Sequence, residues 1–173
     1  MVLCSPAHAQ NSAGTESITL EQALKLAPDT GKKILVDVYA TWCPYCKRMH
    51  SEVYPSEDVS KAIADYFLLV KIDVEGSEEV NYFGEIMTEA EFARALDNKN
   101  VPTTYFLNQE GAILGVQPGY LEPDVFSSLL QFVGSDAYLN QSFSEYSQSE
   151  QTTVWHLPDQ NKLNLVACRV ASP

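Results

Sequence analysis

The chain alternates near-continuous apolar runs with stretches where apolar residues recur every three or four positions. Runs 34–40 and 67–73 are mostly Val, Ile, Leu and aromatic residues, the pattern of strands covered on both faces. Segments 103–107 and 112–116 are shorter strands separated by Asn108-Gln109-Glu110-Gly111, which predicts an antiparallel hairpin. Between these lie the helical segments. Thr19 with Gln22 reads as a capping box, opening a short helix that should stop before Pro28. Asp29-Thr30-Gly31 then turns the chain into the first strand. Residues 47–54 have helical character, and Pro55-Ser56 interrupts them. Ser56 can cap a further segment carrying Val59, Ala62, Ile63 and Tyr66 at helical spacing. Residues 76–82 are acidic and read as a loop. Thr88 with Glu91 is a second capping box, for a helix to about Leu96 that Asn98-Lys99-Asn100 ends. Pro123 starts a last helix with Val125, Phe126, Leu129, Leu130 and Val133 on one face, stopped by Gly134.

The predicted order is helix, strand, helix, strand, helix, strand, strand, helix. A βαβ unit followed by a hairpin and a closing helix gives an α/β fold with one central mixed sheet flanked by helices on both faces. Beyond Gly134 the composition changes. Residues 136–146 suggest a short amphipathic extension through Tyr138, Leu139, Phe143 and Tyr146. Residues 147–153 are polar and Ser/Gln-rich, which predicts a disordered or loosely packed tail. The division expected is a flexible segment 1–16, a domain 17–134, and a partly disordered extension 135–173.

A formal net charge of −12 over 173 residues argues against a nucleic-acid binder, which needs a basic face, and against docking on anionic lipid. No stretch approaches the roughly 20 apolar residues that span a bilayer, so no membrane insertion is expected. A monomer is expected. Ala7-His8-Ala9 resembles a signal-peptidase site, with cleavage after Ala9 leaving Gln10 first. Residues 1–9 then read as the remnant of a signal, and the protein as periplasmic or otherwise extracytoplasmic. Cys4 falls in that remnant and Cys168 in the tail, so these two cysteines read as spare rather than as part of a disulfide scaffold.

Cys43-Pro44-Tyr45-Cys46 sits where a buried strand passes into a helix. Two cysteines at this spacing can close a disulfide, reopen it and pass two electrons. Cys43 falls at the helix N-terminus, where free N–H groups and the helix dipole favour a thiolate, so it is the expected nucleophile. Cys46, one turn on, is the expected resolving thiol. Asp37 lies inside the apolar strand, where an isolated carboxylate is costly, unless it faces outward. Trp42 and Tyr45 flank the sulfurs, as a shield and partner contact or as core packing. Lys47, Arg48 and His50 form a local basic cluster that reads as solvated surface. Zinc is the alternative use of the pair, with Cys43, Cys46 and His50 as ligands and Cys168 or His156 as a fourth. Structural zinc normally takes two clear ligand pairs, which disfavours it. No metal or other cofactor is expected besides the redox disulfide itself.

Residues 36–47, from Val36 through Trp42-Cys43-Pro44-Tyr45-Cys46-Lys47, together with Val101-Pro102-Thr103 about sixty residues on, resemble the thioredoxin superfamily. The likeness in element order covers residues 17–134. The longer helical region after the cysteines, and Asp73-Val74-Glu75-Gly76 after the next strand, are most similar to secreted bacterial members. Among these are the C-terminal domain of the transmembrane thiol:disulfide interchange protein and the thioredoxins of sulfur-oxidation operons. The resemblance implies a thioredoxin fold. It implies that Asp37 is a buried acid that takes a proton from Cys46, and that Lys71 is a possible charge partner of Asp37. It also implies that Pro102 is cis and faces the disulfide, with Val101 offering its backbone to an extended substrate. Trp42, Pro44 and Tyr45 complete the expected substrate contact. The Pro44-Tyr45 dipeptide departs from the Gly-Pro of thioredoxins and matches that of glutaredoxins, which leaves the redox potential open.

The function expected is a thiol:disulfide oxidoreductase that reduces protein disulfides outside the cytoplasm, fed by a membrane or soluble electron donor. The alternatives are a disulfide oxidant or isomerase using the same site, or a binding or chaperone-like module whose cysteine pair is structural.

Overall fold

The computed structural model describes residues 16–154. The signal-like segment and Cys4, Trp155, His156 and Cys168 therefore lie outside the described residues. The described residues form two compact units, divided after Asp136.

The first unit is built on a four-stranded mixed sheet in the order β2-β1-β5-β6. Strand β1 (Lys33–Tyr39) pairs in parallel with β2 (Phe67–Asp73) and antiparallel with β5 (Thr103–Leu107), which pairs antiparallel with β6 (Ile113–Pro118). Side chains alternate across β1. Ile34, Val36 and Val38 enter a core with Leu20, Ala23 and Ala27 of helix α1 (Leu20–Thr30) and Phe92 and Ala93 of helix α4 (Glu89–Ala95). Leu35, Asp37 and Tyr39 therefore point to the opposite face. That face is covered by helix α2 (Pro44–Arg48) with its π-helical continuation Met49–Val53, and by helices α3 (Glu57–Tyr66) and α5 (Pro123–Gly134). Tyr54 packs edge-on against Phe126 at 5.7 Å there, and Phe67 of β2 meets Phe106 of β5 at 5.9 Å. The α/β fold read from the periodicity is the fold found.

Three elements differ from expectation. Helix α1 runs past Pro28 to Thr30 and closes on Gly31, whose left-handed φ of 69° lets its N–H reach the Ala27 carbonyl. Pro28 is exposed and one turn from the end, so its missing N–H disrupts only the last turn. The acidic stretch expected as a loop contains strand β3 (Glu79–Tyr82), which pairs with β4 (Glu85–Thr88) through Phe83-Gly84. Both turn residues have positive φ, as tight hairpins require. The second unit holds a 3₁₀ turn (Ala137–Leu139) and helix α6 (Phe143–Val154), where a polar tail was expected from residue 147. A capping box explains the start of α6: Ser142 Oγ accepts from the Glu145 N–H, and Glu145 accepts from the Ser142 N–H.

Lys33 ties the start of β1 to the end of α5. Its ammonium, 5% exposed as a residue, donates to the Gly134 carbonyl at 3.0 Å and pairs with Asp136 at 2.9 Å. Gly134 is where α5 passes closest to α3: a β-carbon there would lie 2.4 Å from Tyr66 Cγ and 2.7 Å from its Cβ. Overpacking of this kind costs about 1–3 kcal/mol, more than the roughly 1 kcal/mol alanine gains in helix propensity. Gly134→Ala should therefore lower the melting temperature by several degrees, and an unchanged or raised melting temperature would refute the close approach.

Candidate active site

The site forms where β1 runs into α2. Cys43 caps α2 in extended conformation, with Pro44 at the first helical position, where a missing N–H costs nothing. The Cys46 N–H points back at Cys43 Sγ at 3.2 Å, and the Cys43 thiol lies 3.7 Å from the Val101 carbonyl. The two thiols are unbonded, so the structure is that of the dithiol. Ala40, Tyr39, Val74 and Val101 pack around them. Cys43, the expected nucleophile, is only 3% exposed, against 1% for Cys46. Its side chain turns inward to the Cys46 N–H and the Val101 carbonyl.

The Val101–Pro102 peptide is cis, and Pro102 is buried beside the exposed site rim. Trp42 and Tyr45 are 59% and 57% exposed, so neither is core packing. Tyr45 lies 5.8 Å from the Tyr120 ring, and the Arg48 guanidinium sits 4.5 Å from that ring's centre. The rim of the site is thus aromatic, with the Arg48 cation paired to Glu52 and Glu122.

Beneath the cysteines is a buried polar group centred on Asp37, 1% exposed. Asp37 faces inward, on the side of β1 covered by α2, α3 and α5. Its Oδ2 lies 2.6 Å from His50 Nε2. Lys71, the possible charge partner, stands directly opposite Asp37 in the β1–β2 register, but the ion pair found at the carboxylate is with His50. The Lys71 ammonium lies instead 6.0 Å from the Tyr54 ring centre. Thr104 is Asp37's neighbour on the other side, from β5. Among the described residues, the buried side-chain oxygens without a hydrogen bond of ordinary geometry are Asp37 Oδ1 and the Tyr54 hydroxyl. Burial, and then the charge of Asp37 and its hydrogen-bonding interaction with the phenol, hold Tyr54 well above its ordinary range, with Thr104 opposing.

The sequence points to neither Tyr54 nor Thr104 as part of the site, and it offers His50 only as solvated surface or as a ligand in the disfavoured zinc reading. His50 is not solvated surface: half-buried, it stacks edge-on to Tyr39 at 5.1 Å and lies 5.7 Å from Tyr54. A signal was available. Cys46, His50 and Tyr54 recur every four residues, which puts them along one side of a helix.

Cys46 is pushed up to about 12, first by burial, then by its hydrogen bond with Cys43 and by the charges of Cys43 and Asp37, with the Ala40 backbone opposing. Cys46 is therefore a thiol at neutral pH and needs a base before it can act as a nucleophile. A raised thiol pKa stabilises the folded dithiol fully below the ordinary value of 9.0 and progressively less up to about 12, because there the unfolded chain has already lost the proton. Denaturant midpoints of the dithiol form should fall across that window more steeply than those of the disulfide form, which has no thiol to titrate. Parallel curves would contradict the shift.

Residues 20–134 match the Thioredoxin-like domain family. The thiol:disulfide interchange protein DsbD of Pasteurella multocida is 30% identical over 144 residues, covering 79% of this chain and 23% of that protein. The chain thus spans about a quarter of the length of this relative. Among solved structures, a thioredoxin-fold protein from Helicobacter pylori superimposes with a TM-score of 0.67 at 16% identity, covering 84% of this chain and 96% of that one. A thioredoxin from Thermus thermophilus superimposes with a TM-score of 0.56 at 24% identity, covering 69% and 87%. At these identities the structural likenesses bear on fold, and both agree with the mixed sheet described above. The family match spans the whole sheet and every residue of the cysteine site, and on it the chain belongs to the thioredoxin-like domain family.

Proposed function

We propose that the protein is a thiol:disulfide oxidoreductase that reduces disulfides in other proteins through the Cys43–Cys46 pair. The observation that carries this reading is the division of labour at the site. Cys43 is held at a helix N-terminus by a backbone N–H, while Cys46 is kept protonated above a buried carboxylate with a free oxygen. Cys43 as thiolate attacks a substrate sulfur, and the first substrate thiol leaves. Cys46 gives its proton to Asp37 and attacks Cys43. The mixed disulfide breaks, and the second substrate thiol departs with the electron pair. The dithiol ends oxidised and the substrate disulfide reduced, with no bound cofactor. The cis Val101–Pro102 segment beside Cys43 supplies a carbonyl for an extended substrate backbone, and Trp42, Pro44 and Tyr45 form the exposed contact around it.

Asp37 beneath Cys46 supports thiol chemistry at the resolving sulfur and with it the reducing direction, a separate donor returning electrons to the pair; the similarity to interchange proteins supports disulfide exchange. Together with Ala7-His8-Ala9, it also supports action outside the cytoplasm. Among the described residues, no helix is long and apolar enough to cross a membrane. The Pro44-Tyr45 dipeptide leaves the potential open, so disulfide donation by the same site is the second reading. Equilibration against glutathione separates the two. A reductant gives a potential near the thioredoxin value of about −270 mV, whereas a value near −120 mV would make the protein an oxidant.

A further inference from the structure

We infer that His50 is a positioning residue for the resolving step: it holds Asp37 by Oδ2, leaves Oδ1 free for the Cys46 proton, and sets by its own charge how readily Asp37 takes it. This deepens the oxidoreductase reading and rests on it.

Asp37 is buried; its Oδ2 lies 2.6 Å from His50 Nε2, and its Oδ1 makes no hydrogen bond of ordinary geometry although the Tyr54 hydroxyl faces the carboxylate. An ionised carboxylate can only accept, so Nε2 is the donor and Nδ1 is the nitrogen that gains or loses a proton. His50 has 26% of its side chain exposed, so solvent protons reach the imidazole while Asp37 is sealed off. Imidazole changes charge between about pH 5 and 8. When His50 is cationic, Asp37 is held as half of an ion pair and is a weaker base. When His50 is neutral, the same hydrogen bond orients a carboxylate whose charge is less compensated.

The other groups around the pair do not duplicate this role. Tyr39 from β1 and Tyr54 from the end of the π segment both face His50, and both phenols are raised above their ordinary range, so they stay neutral where imidazole titrates. Cys46 on α2 is a thiol there. Lys71 on β2 lies opposite Asp37 and near Tyr54, Thr104 on β5 carries no charge, and Asp73 reaches the cluster only through Tyr39. In the step itself the Cys46 S–H bond breaks and an Asp37 Oδ1–H bond forms. The Cys46–Cys43 bond replaces the Cys43–substrate bond, the leaving sulfur takes the electron pair and a solvent proton, and Asp37 keeps its proton until the electron donor reduces the disulfide and the released Cys46 sulfur takes it back.

The test uses the reduced full chain and an aromatic disulfide whose thiolate is coloured. Attack by Cys43 releases one thiolate, and resolution by Cys46 releases the second in a unimolecular phase. In the wild type the second phase should rise severalfold with pH across the imidazole range. His50→Gln keeps an N–H for Oδ2 but cannot titrate. Its second phase should vary less than about twofold over the same range, with the first phase following the wild type. As a check that needs no variant at His50, the imidazole resonances of the wild type should titrate with the midpoint of the second phase, and Asp37→Asn should displace that midpoint. Identical pH profiles for the wild type and His50→Gln, or an imidazole midpoint unrelated to the rate, would overturn the inference and leave the oxidoreductase reading standing. Absence of a second thiolate from the wild type would overturn both.

Discussion

A Cys46→Ala protein should attack a substrate disulfide once and stop, accumulating as a mixed disulfide on Cys43. The sulfur of Cys46 lies one helical turn from Cys43, and its backbone N–H already touches Cys43 Sγ at 3.2 Å. Such an intramolecular nucleophile acts at an effective concentration far above that of any external thiol, so its removal should lower turnover by roughly a thousandfold or more. The fold should be unaffected, because loss of one buried sulfur removes little volume next to Ala40 and Val101. Mass spectrometry of the variant after exposure to a disulfide-bonded protein gives the answer: an adduct on Cys43 is expected. An equal yield of adduct from the wild type would show that Cys46 does not resolve.

Asp37→Asn should separate activity from stability. General-base assistance is worth roughly 10²–10⁴ in rate, and Asn has no basic oxygen. The resolving phase at neutral pH should therefore slow about a hundredfold, while attack by Cys43 stays within a few-fold of the wild type. Stability should move the other way or hardly at all. Burying a carboxylate carries a desolvation cost that one hydrogen bond offsets only in part, and Oδ1 has no partner. Removing that charge strands nothing, since His50 is partly solvated and can lose its own. Denaturant melts of the dithiol variant should give a midpoint equal to or above the wild type. A large loss of stability with resolution unchanged would make Asp37 a structural residue.

Much of this site was legible in the chain because its parts follow from local rules. A near-continuous apolar run, two cysteines at helical spacing and a proline between them place Cys43 on a cap without any tertiary information. Val101-Pro102 came from resemblance and could not have come from spacing alone, since only the β1–β5 pairing brings that segment beside the sulfurs. His50 was misread because Lys47 and Arg48 precede it, and a run of basic residues suggests a wet helix face. Lys47 is exposed and Arg48 reaches Glu52 and Tyr120, but His50, two residues past Arg48 and round the helix from it, finds Asp37. The Asp37–Lys71 pairing was right in register and wrong in contact: neighbours in a parallel ladder share a face, yet His50 had the shorter reach. The β3–β4 hairpin was missed because each strand has four residues and only Val80 is buried, too little alternation to register. Helix α6 was missed because its signal lies in the Ser142–Glu145 cap rather than in an apolar stripe.

Turnover depends first on Cys43 as the attacking sulfur. The most direct measurement is catalytic reduction of a disulfide-bonded protein such as insulin, with excess dithiol as electron source, by the wild type and by Cys43→Ser. The wild type should accelerate the reduction, and Cys43→Ser should fall to the rate of the dithiol alone. A Cys43→Ser protein that retains the wild-type rate would contradict the assignment.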